Sequence, residues 1–253
     1  MKELIKRLIK NNDKAHVAAT SIFLRFRRLS RIVFPVDQMV IKKYMSTVQV
    51  RKLQIGSGTN FIQGWLNSDI DPLKGMIKLD VTKTFPFNDS VFDYIYCEHM
   101  IEHFYYTEGV KILSECYRIL KSNGKIRVAT PDLPFLVELY RANKTELQKK
   151  YIEWSTDSFI PTAPFYADTY VINNYFRDWG HKFIYDEKVL RFAMKEVGFT
   201  NIIRCLLNES EDKELQGLEY VGRMPDGFLE LETFILEGTK PVSAPNKSGD
   251  TPL

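Results

Sequence analysis

The sequence predicts an α/β fold: a seven-stranded mixed sheet with helices on both faces. Three observations predict it. Short apolar runs with strand character recur between residues 50 and 130, separated by turns and one strongly periodic helix. The first of these runs leads at once into Gly56-Ser57-Gly58. Two more strand-like runs follow a second amphipathic helix near the other end. Strand, crossover and strand in alternation mean parallel strands covered by helices.

Each element has its own signal. Residues 2–10 place Leu4, Ile5, Leu8 and Ile9 on one helical face, and residues 17–33 repeat the pattern with Ile22, Phe23, Phe26, Leu29 and Val33. Pro35 ends this helix or precedes its end. The strands are V-R-K-L-Q-I from 50, L-N-S-D-I from 66, M-I-K-L-D from 76, V-F-D-Y-I-Y-C from 91 and K-I-R-V-A-T from 125. Between the last two, Val110, Leu113, Tyr117 and Leu120 form a helical stripe that S-N-G stops at Gly124.

Residues 132–180 break the rhythm. They carry no strand signal and are rich in aromatics, among them Phe135, Tyr151, Trp154, Phe159, Tyr175 and Trp179. They read as an inserted helical lid or substrate region. Most of these rings would cover a sheet edge; the alternative is a platform on which a sugar stacks its apolar face. Asp186 then caps a helix with the core stripe Val189/Leu190, Ala193 and Val197, stopped by Gly198. N-I-I-R-C-L-L and L-E-T-F-I-L-E complete the seven strands. The polar stretch 239–253 reads as a disordered tail, with the domain boundary at 240. The organisation is therefore a helical extension over 1–47, a domain over 48–240 and a tail over 241–253.

Composition excludes several classes. Of 253 residues, 44% are hydrophobic and 26% charged, which is ordinary globular usage rather than collagen, coiled coil or disorder. The net charge is +3, yet residues 1–47 hold 11 Lys/Arg against 3 Asp/Glu. The basic excess thus belongs to one end. A nucleic-acid footprint over the whole protein is not expected. Two readings of residues 1–47 stand: a helix that caps the core and solvates its charged face, or an interfacial helix that meets anionic lipid. The N-terminus lacks the apolar stretch of a secretory leader, and no run is long enough to span a membrane. The three cysteines, Cys97, Cys116 and Cys205, form no C-x-x-C pair, so a disulfide framework or structural zinc is not expected and a cytoplasmic location fits. The four histidines show no metal-liganding spacing with cysteine, and no metal is expected.

The chemistry is carried by motifs at strand ends. Glycines directly after a first strand let backbone approach a ligand without Cβ interference, and such a turn sits where nucleotide-like cofactors bind in parallel sheets. Asp69, ending the second strand, can accept hydrogen bonds from ribose hydroxyls; Asp71 competes for that role. Asp80 ends the third strand, where a carboxylate can meet an adenine amino group.

Together with P-F-N-D-S-V-F-D at 86–93, I-E-H at 101–103, R-I-L-K-S-N-G-K at 118–125 and H-K-F-I-Y-D-E-K-V-L-R-F-A-M-K-E-V-G-F at 181–199, these elements resemble the class I S-adenosylmethionine-dependent methyltransferases. The likeness is to the subgroup called methyltransferase type 11 and covers roughly residues 50–240. It implies a Rossmann-like sheet, S-adenosyl-L-methionine as cofactor, Gly56 and Gly58 at its methionine part, Asp69 at the ribose, and Asp80 with the Val81 backbone at the adenine. Glu98, ending the fourth strand, joins the cofactor set. Two positions depart from the family pattern: Gln54 stands where an acidic residue is usual, and Asn60 where a third small residue is usual.

Methyl transfer to an alcohol needs a base as well as alignment. Candidates past the fourth strand are Glu98, His99, Glu102 and His103, with His181 approaching from beyond the lid. If the segment is helical, His99 and His103 project from one face, one turn apart. The I-E-H triplet favours His103, then His99, then His181; the plainer alternative is that each histidine only makes a structural hydrogen bond. The expected acceptor is a small molecule or a cell-surface glycan precursor of polysaccharide biosynthesis. A non-catalytic cofactor-binding or scaffold protein of the same fold, or a nicotinamide-dependent oxidoreductase, are the alternative functions; the missing third glycine and the short Gly56-to-Asp69 spacing argue against the oxidoreductase.

Overall fold

The computed structural model describes residues 36–242. The two helices expected over 2–10 and 17–33 and most of the tail lie outside the described residues. The chain divides after Thr47. On the N-terminal side of that division the described residues form a helix, α1 (Val36–Thr47). Pro35, expected to end the preceding helix or to precede its end, lies outside the described residues.

The second unit holds a seven-stranded sheet in the order β3-β2-β1-β4-β5-β7-β6. Its strands are β1 (Lys52–Ile55), β2 (Leu66–Asp69), β3 (Ile77–Lys78), β4 (Phe92–Glu98), β5 (Leu120–Pro131), β6 (Thr200–Cys205) and β7 (Thr233–Thr239). The first five are parallel, and β7 runs antiparallel between β5 and β6. The mixed sheet read from the sequence is the observed one. Its central strands are buried on both faces: Leu53, Ile55, Ile95, Ile126 and Val128 fill one face with apolar side chains, and Gln54, Tyr96 and Arg127 are buried on the other.

Helix α2 (Tyr106–Ile119) crosses from β4 to β5, and Glu108 accepts from the Tyr105 backbone to close its first turn. It buries Ile112, Leu113, Cys116 and Ile119. The expected stripe was rotated: Val110 and Tyr117 flank the buried face, and Leu120 already belongs to β5. Residues 132–180 form three helices, α3 (Leu133–Leu139), α4 (Glu146–Phe159) and α5 (Asp168–Arg177). Thr145 caps α4. Phe135, Tyr151, Val171 and Tyr175 build a satellite core with Ile184 and Phe228, so part of the aromatic content holds the insertion together. Helix α6 (Glu187–Val197) is capped by Asp186 and ends at Gly198, whose φ of 112° is left-handed. A short α7 (Phe228–Glu232) precedes β7.

The start of the polar tail is structured. Thr239 pairs in β7, and Lys240 exchanges backbone hydrogen bonds with Asn123 and Gly124. Its ammonium donates to the carbonyls of Tyr117 (2.8 Å) and Leu120 (2.7 Å), capping the end of α2.

One ion cluster lies inside the sheet layer. Arg127 on β5 is fully buried. Its Nε and Nη2 donate to both carboxylate oxygens of Glu219 at 2.7 and 2.9 Å, and Nη1 donates to Glu237 on β7 at 2.5 Å. Removing one partner of such a network strands the others in low dielectric, a loss of about 3–5 kcal/mol. Arg127→Met should therefore lower urea-unfolding stability by about 3–5 kcal/mol. An unchanged midpoint would mean that the cluster contributes nothing net.

Candidate active site

At the carboxyl ends of β1 and β2 the backbone folds into a cleft. Gly56 and Gly58 have φ of 66° and 51°. A Cβ on Gly56 would come within 2.4 Å of Met100, whereas one on Gly58 would meet no protein atom within 4 Å. The space before Gly58 is the cleft itself. Gly58 N–H donates to Asp69 Oδ2 at 2.8 Å, and Asp71 N–H donates to Oδ1 at 2.9 Å. These bonds fix the Asp69 carboxylate at the strand end. Asp69 lines the cleft and Asp71 does not, which separates the two candidates by position.

Asp80 is held by Thr82, whose hydroxyl donates to Oδ1 at 2.6 Å and whose N–H donates at 3.2 Å. That hydroxyl, with Lys83, keeps the Asp80 carboxyl below the ordinary aspartate range. The cleft measures about 420 Å³ and is lined by Gly56, Gly58, Asp69, Ile70, Leu79, Asp80, Val81, His99, Met100 and His103, among others. Ile70 and Leu79 give it apolar walls between the two acids. Gln54 is buried in β1, and its side-chain oxygen has no hydrogen-bond partner among the described residues. Asn60 closes the glycine turn, its N–H donating to Ser57 O at 2.8 Å.

Glu98 does not join this cleft. It turns toward residues 220–223, accepting from the Tyr220 N–H at 3.2 Å with Arg223 Nη2 at 3.5 Å. Its place in the cofactor set is corrected accordingly: the Glu98 carboxylate is taken up by the 220–223 segment and does not line the cleft.

A second cavity of about 290 Å³ adjoins the same strand ends. Its walls include His99, Glu102, His103, Tyr151, Trp154, Phe159, Tyr175, Trp179, His181, Arg223 and Glu232. His99 and His103 line both cavities. The segment between them is not the expected α-helix. His99 has a left-handed φ of 44°, a single 3-10 turn spans Ile101–His103, and α2 starts only at Tyr106. The two imidazoles therefore have different surroundings. His99 Nε2 lies 2.8 Å from Thr233 Oγ1, and its Nδ1 is 3.6 Å from Glu102 Oε1. The His103 ring packs edge-on against His181, 5.0 Å between centroids. His181 Nδ1 is 2.8 Å from the Tyr175 carbonyl.

Burial decides the protonation of this group. It depresses all three histidines, His99 most strongly. Neutral imidazoles at physiological pH follow, each with one nitrogen lone pair. Burial also pushes the Glu102 carboxyl up to about 8. Glu102 accepts from Thr130 Oγ1 through Oε2 at 3.1 Å. Glu232 receives the hydroxyls of both Tyr151 and Tyr175. Sequence reasoning missed Arg223 and Glu232, because the stretch 208–232 has neither periodicity nor a motif; the 3-10 turn at Val221–Arg223 carries no sequence signature.

Residues 53–128 match the family described as methyltransferase domain, type 11. The match runs from β1 into β5 and takes in Gly56, Gly58, Asp69, Asp80, His99 and His103. The cleft fits S-adenosylmethionine: an open approach at Gly58, a fixed carboxylate for ribose hydroxyls and a second for the base. None of the curated proteins matches the sequence. Among solved structures, a Thermotoga maritima S-adenosylmethionine-dependent methyltransferase, described as a possible histamine N-methyltransferase, is 19% identical with a TM-score of 0.44, covering 87% of this chain and 99% of that one. A S-adenosylmethionine-dependent methyltransferase from Archaeoglobus fulgidus is 14% identical with a TM-score of 0.46, covering 85% and 100%. Phosphoethanolamine N-methyltransferase 2 of Haemonchus contortus, in complex with S-adenosyl-L-methionine, is 13% identical with a TM-score of 0.40, covering 83% and 53%.

A side chain at Gly58 would enter the space the cofactor needs and would strain a left-handed backbone. Gly58→Val should abolish S-adenosylhomocysteine binding in calorimetry. Asp69→Asn, which keeps the shape and removes the charge, should weaken it about 10–100-fold, the range for a hydrogen bond to a charged group. Wild-type affinity in both variants, with folding confirmed by circular dichroism, would remove the cofactor from this cleft.

Proposed function

We propose that the protein transfers a methyl group to an oxygen of a small molecule or cell-surface glycan precursor, with His103 accepting the proton. One observation carries this reading: His103 lies on the wall common to the cofactor cleft and the second cavity. A group there can reach an acceptor hydroxyl in one chamber while the methyl donor occupies the other. Bound S-adenosylmethionine supplies an activated methyl on a sulfonium. Gly56 and Gly58 leave room for its methionine part, Asp69 holds the ribose, and Asp80 with the Val81 backbone holds the adenine.

The second cavity suits a polyhydroxylated acceptor. Tyr151, Trp154, Phe159 and Trp179 offer flat apolar faces, and Arg223 Nε has no hydrogen-bond partner among the described residues. Aromatic faces with a few polar groups are the usual lining of small-ligand sites. His99, its Nε2 set on Thr233, acts second to His103, and His181 third, its ring against His103. Alignment of the two reactants and exclusion of water supply the larger part of the acceleration, about 7–11 kcal/mol.

Residues 1–47 extend the reading. Their charge, 11 Lys/Arg against 3 Asp/Glu, supports peripheral contact with anionic lipid at the cytoplasmic face of a membrane, where a glycan precursor would be presented. No helix among the described residues is long and apolar enough to cross a membrane.

Two experiments test this. Purified protein is incubated with isotope-labelled S-adenosylmethionine and fractionated small molecules, and the labelled product is identified by mass spectrometry. His103→Ala should then lose at least ~10²-fold in turnover with near-normal cofactor affinity; retained turnover would dismiss His103 as base. Co-sedimentation with anionic vesicles should be strong at low salt and weak at high salt. Equal sedimentation of a chain lacking residues 1–47 would dismiss the membrane contact.

A further inference from the structure

The base of the second cavity holds a donor set that proton transfer alone does not use. Glu102, His103 and His181 each offer one ligand atom, and these atoms lie within 4.8 Å of one another. They reach that point from separate pieces of chain: the 3-10 turn after β4, and the segment between α5 and α6.

Three details distinguish this set from a chance cluster. The Glu102 side chain is fully buried, and its Oε1 has no hydrogen-bond partner among the described residues. The nearest donor candidate, His99 Nδ1, is 3.6 Å away, beyond hydrogen-bond range. A buried carboxyl oxygen left unmatched is costly and calls for a partner. Second, the tautomer of His181 is fixed. Its Nδ1 sits 2.8 Å from a carbonyl, which can only accept, so Nδ1 carries the hydrogen and Nε2 carries the lone pair. A carbonyl partner on the far nitrogen is the usual outer support of a metal-bound imidazole. Third, the cavity is lined by two carboxyl groups, Glu102 and Glu232, whose protons an entering cation can displace.

We propose that Glu102, His103 and His181 bind one divalent transition-metal ion of the zinc class. Two imidazoles and a carboxylate suit such an ion, whereas magnesium and calcium prefer all-oxygen shells. Three protein ligands leave a position open toward the cavity. Tetrahedral donors about 2.0–2.2 Å from zinc stand about 3.4 Å apart, so the half-buried His103 and His181 side chains close in by about 1 Å as the ion enters. The ion takes the His103 lone pair. Metal occupancy and proton removal by His103 are therefore alternatives, and the metal-loaded protein is the slow form; that consequence, unlike the site, rests on the proton-transfer reading.

The test is metal binding by the full chain, which needs no acceptor. Metal-stripped protein is titrated with Zn²⁺ alone in a calorimeter, with Mg²⁺ as the comparison. One zinc per chain is expected, with at least a tenfold loss of affinity in His181→Ala and in Glu102→Gln, the range for losing part of a metal shell. Absence of saturable zinc binding, or unchanged affinity in His181→Ala, would overturn the proposal. If Glu102→Gln does not fold, Co²⁺ loading of the unaltered chain reads the ligands directly: visible bands without thiolate charge transfer are expected, and a thiolate band would assign the ion to a cysteine instead.

Discussion

The buried guanidinium of Arg127 is the constraint on which the active face depends. Its planar fork meets Glu219 along one edge and Glu237 on the other nitrogen, so the inner strand β5, the antiparallel strand β7 and the connection from β6 to β7 are fixed to one point. It also accepts the orphan carbonyls of that connection as partners, donating to Leu206 and Glu209. Charge satisfied this fully inside a sheet layer specifies an arrangement more than it stabilises one. Tyr220 follows Glu219 directly and bonds Glu98, and three residues later Arg223 enters the wall of the second cavity. The position of an active-site residue is thus set by an ion cluster on the body of the sheet.

The same economy appears at the strand ends. Methyl transfer from a sulfonium asks a protein for alignment and dryness more than for reactive groups. The cofactor cleft supplies shape through two left-handed glycines and two carboxylates whose lone pairs are partly spent on backbone. The second cavity supplies aromatic walls and a set of groups whose ionisation burial has suppressed. Neutral imidazoles and an elevated Glu102 are what low dielectric makes of titratable groups placed next to a methyl donor.

Most of the sheet was legible in the sequence because buried parallel strands announce themselves as apolar runs, and because left-handed turns demand glycine. Asp69 and Asp80 were legible for the same reason: a polar residue closing an apolar run has few other uses. What failed shows where local pattern stops. Glu98 closes a strand as Asp69 does, yet its carboxylate is engaged by Tyr220 and Arg223 rather than by the cleft, and nothing in the local pattern announces those partners. The histidine pair was misjudged because four-residue spacing suggests a helix, while His99 in a left-handed backbone and a lone 3-10 turn hold both rings on the cavity wall by another route. The stripe of α2 was out of phase because Leu120, apolar and periodic, belongs to the next strand. Arg223 lies in an irregular connection and Glu232 at the end of the short α7, and at both positions neighbours in space, not in sequence, assign the role.

The position of β7 has a consequence for synthesis. It is the last strand of the domain in chain order, yet it lies between β5 and β6. As the chain leaves the ribosome, β6 has no neighbour to pair with, and Arg127 with Glu219 waits for Glu237 until nearly the whole domain has emerged. Pairings this distant along the chain are closed late and slowly. The half-made sheet presents an open edge at β5 throughout that interval, an invitation to wrong strands. Folding of this domain is therefore completed from its carboxyl-terminal strand inward, and the final step that seals the sheet is also the one that neutralises its buried charge.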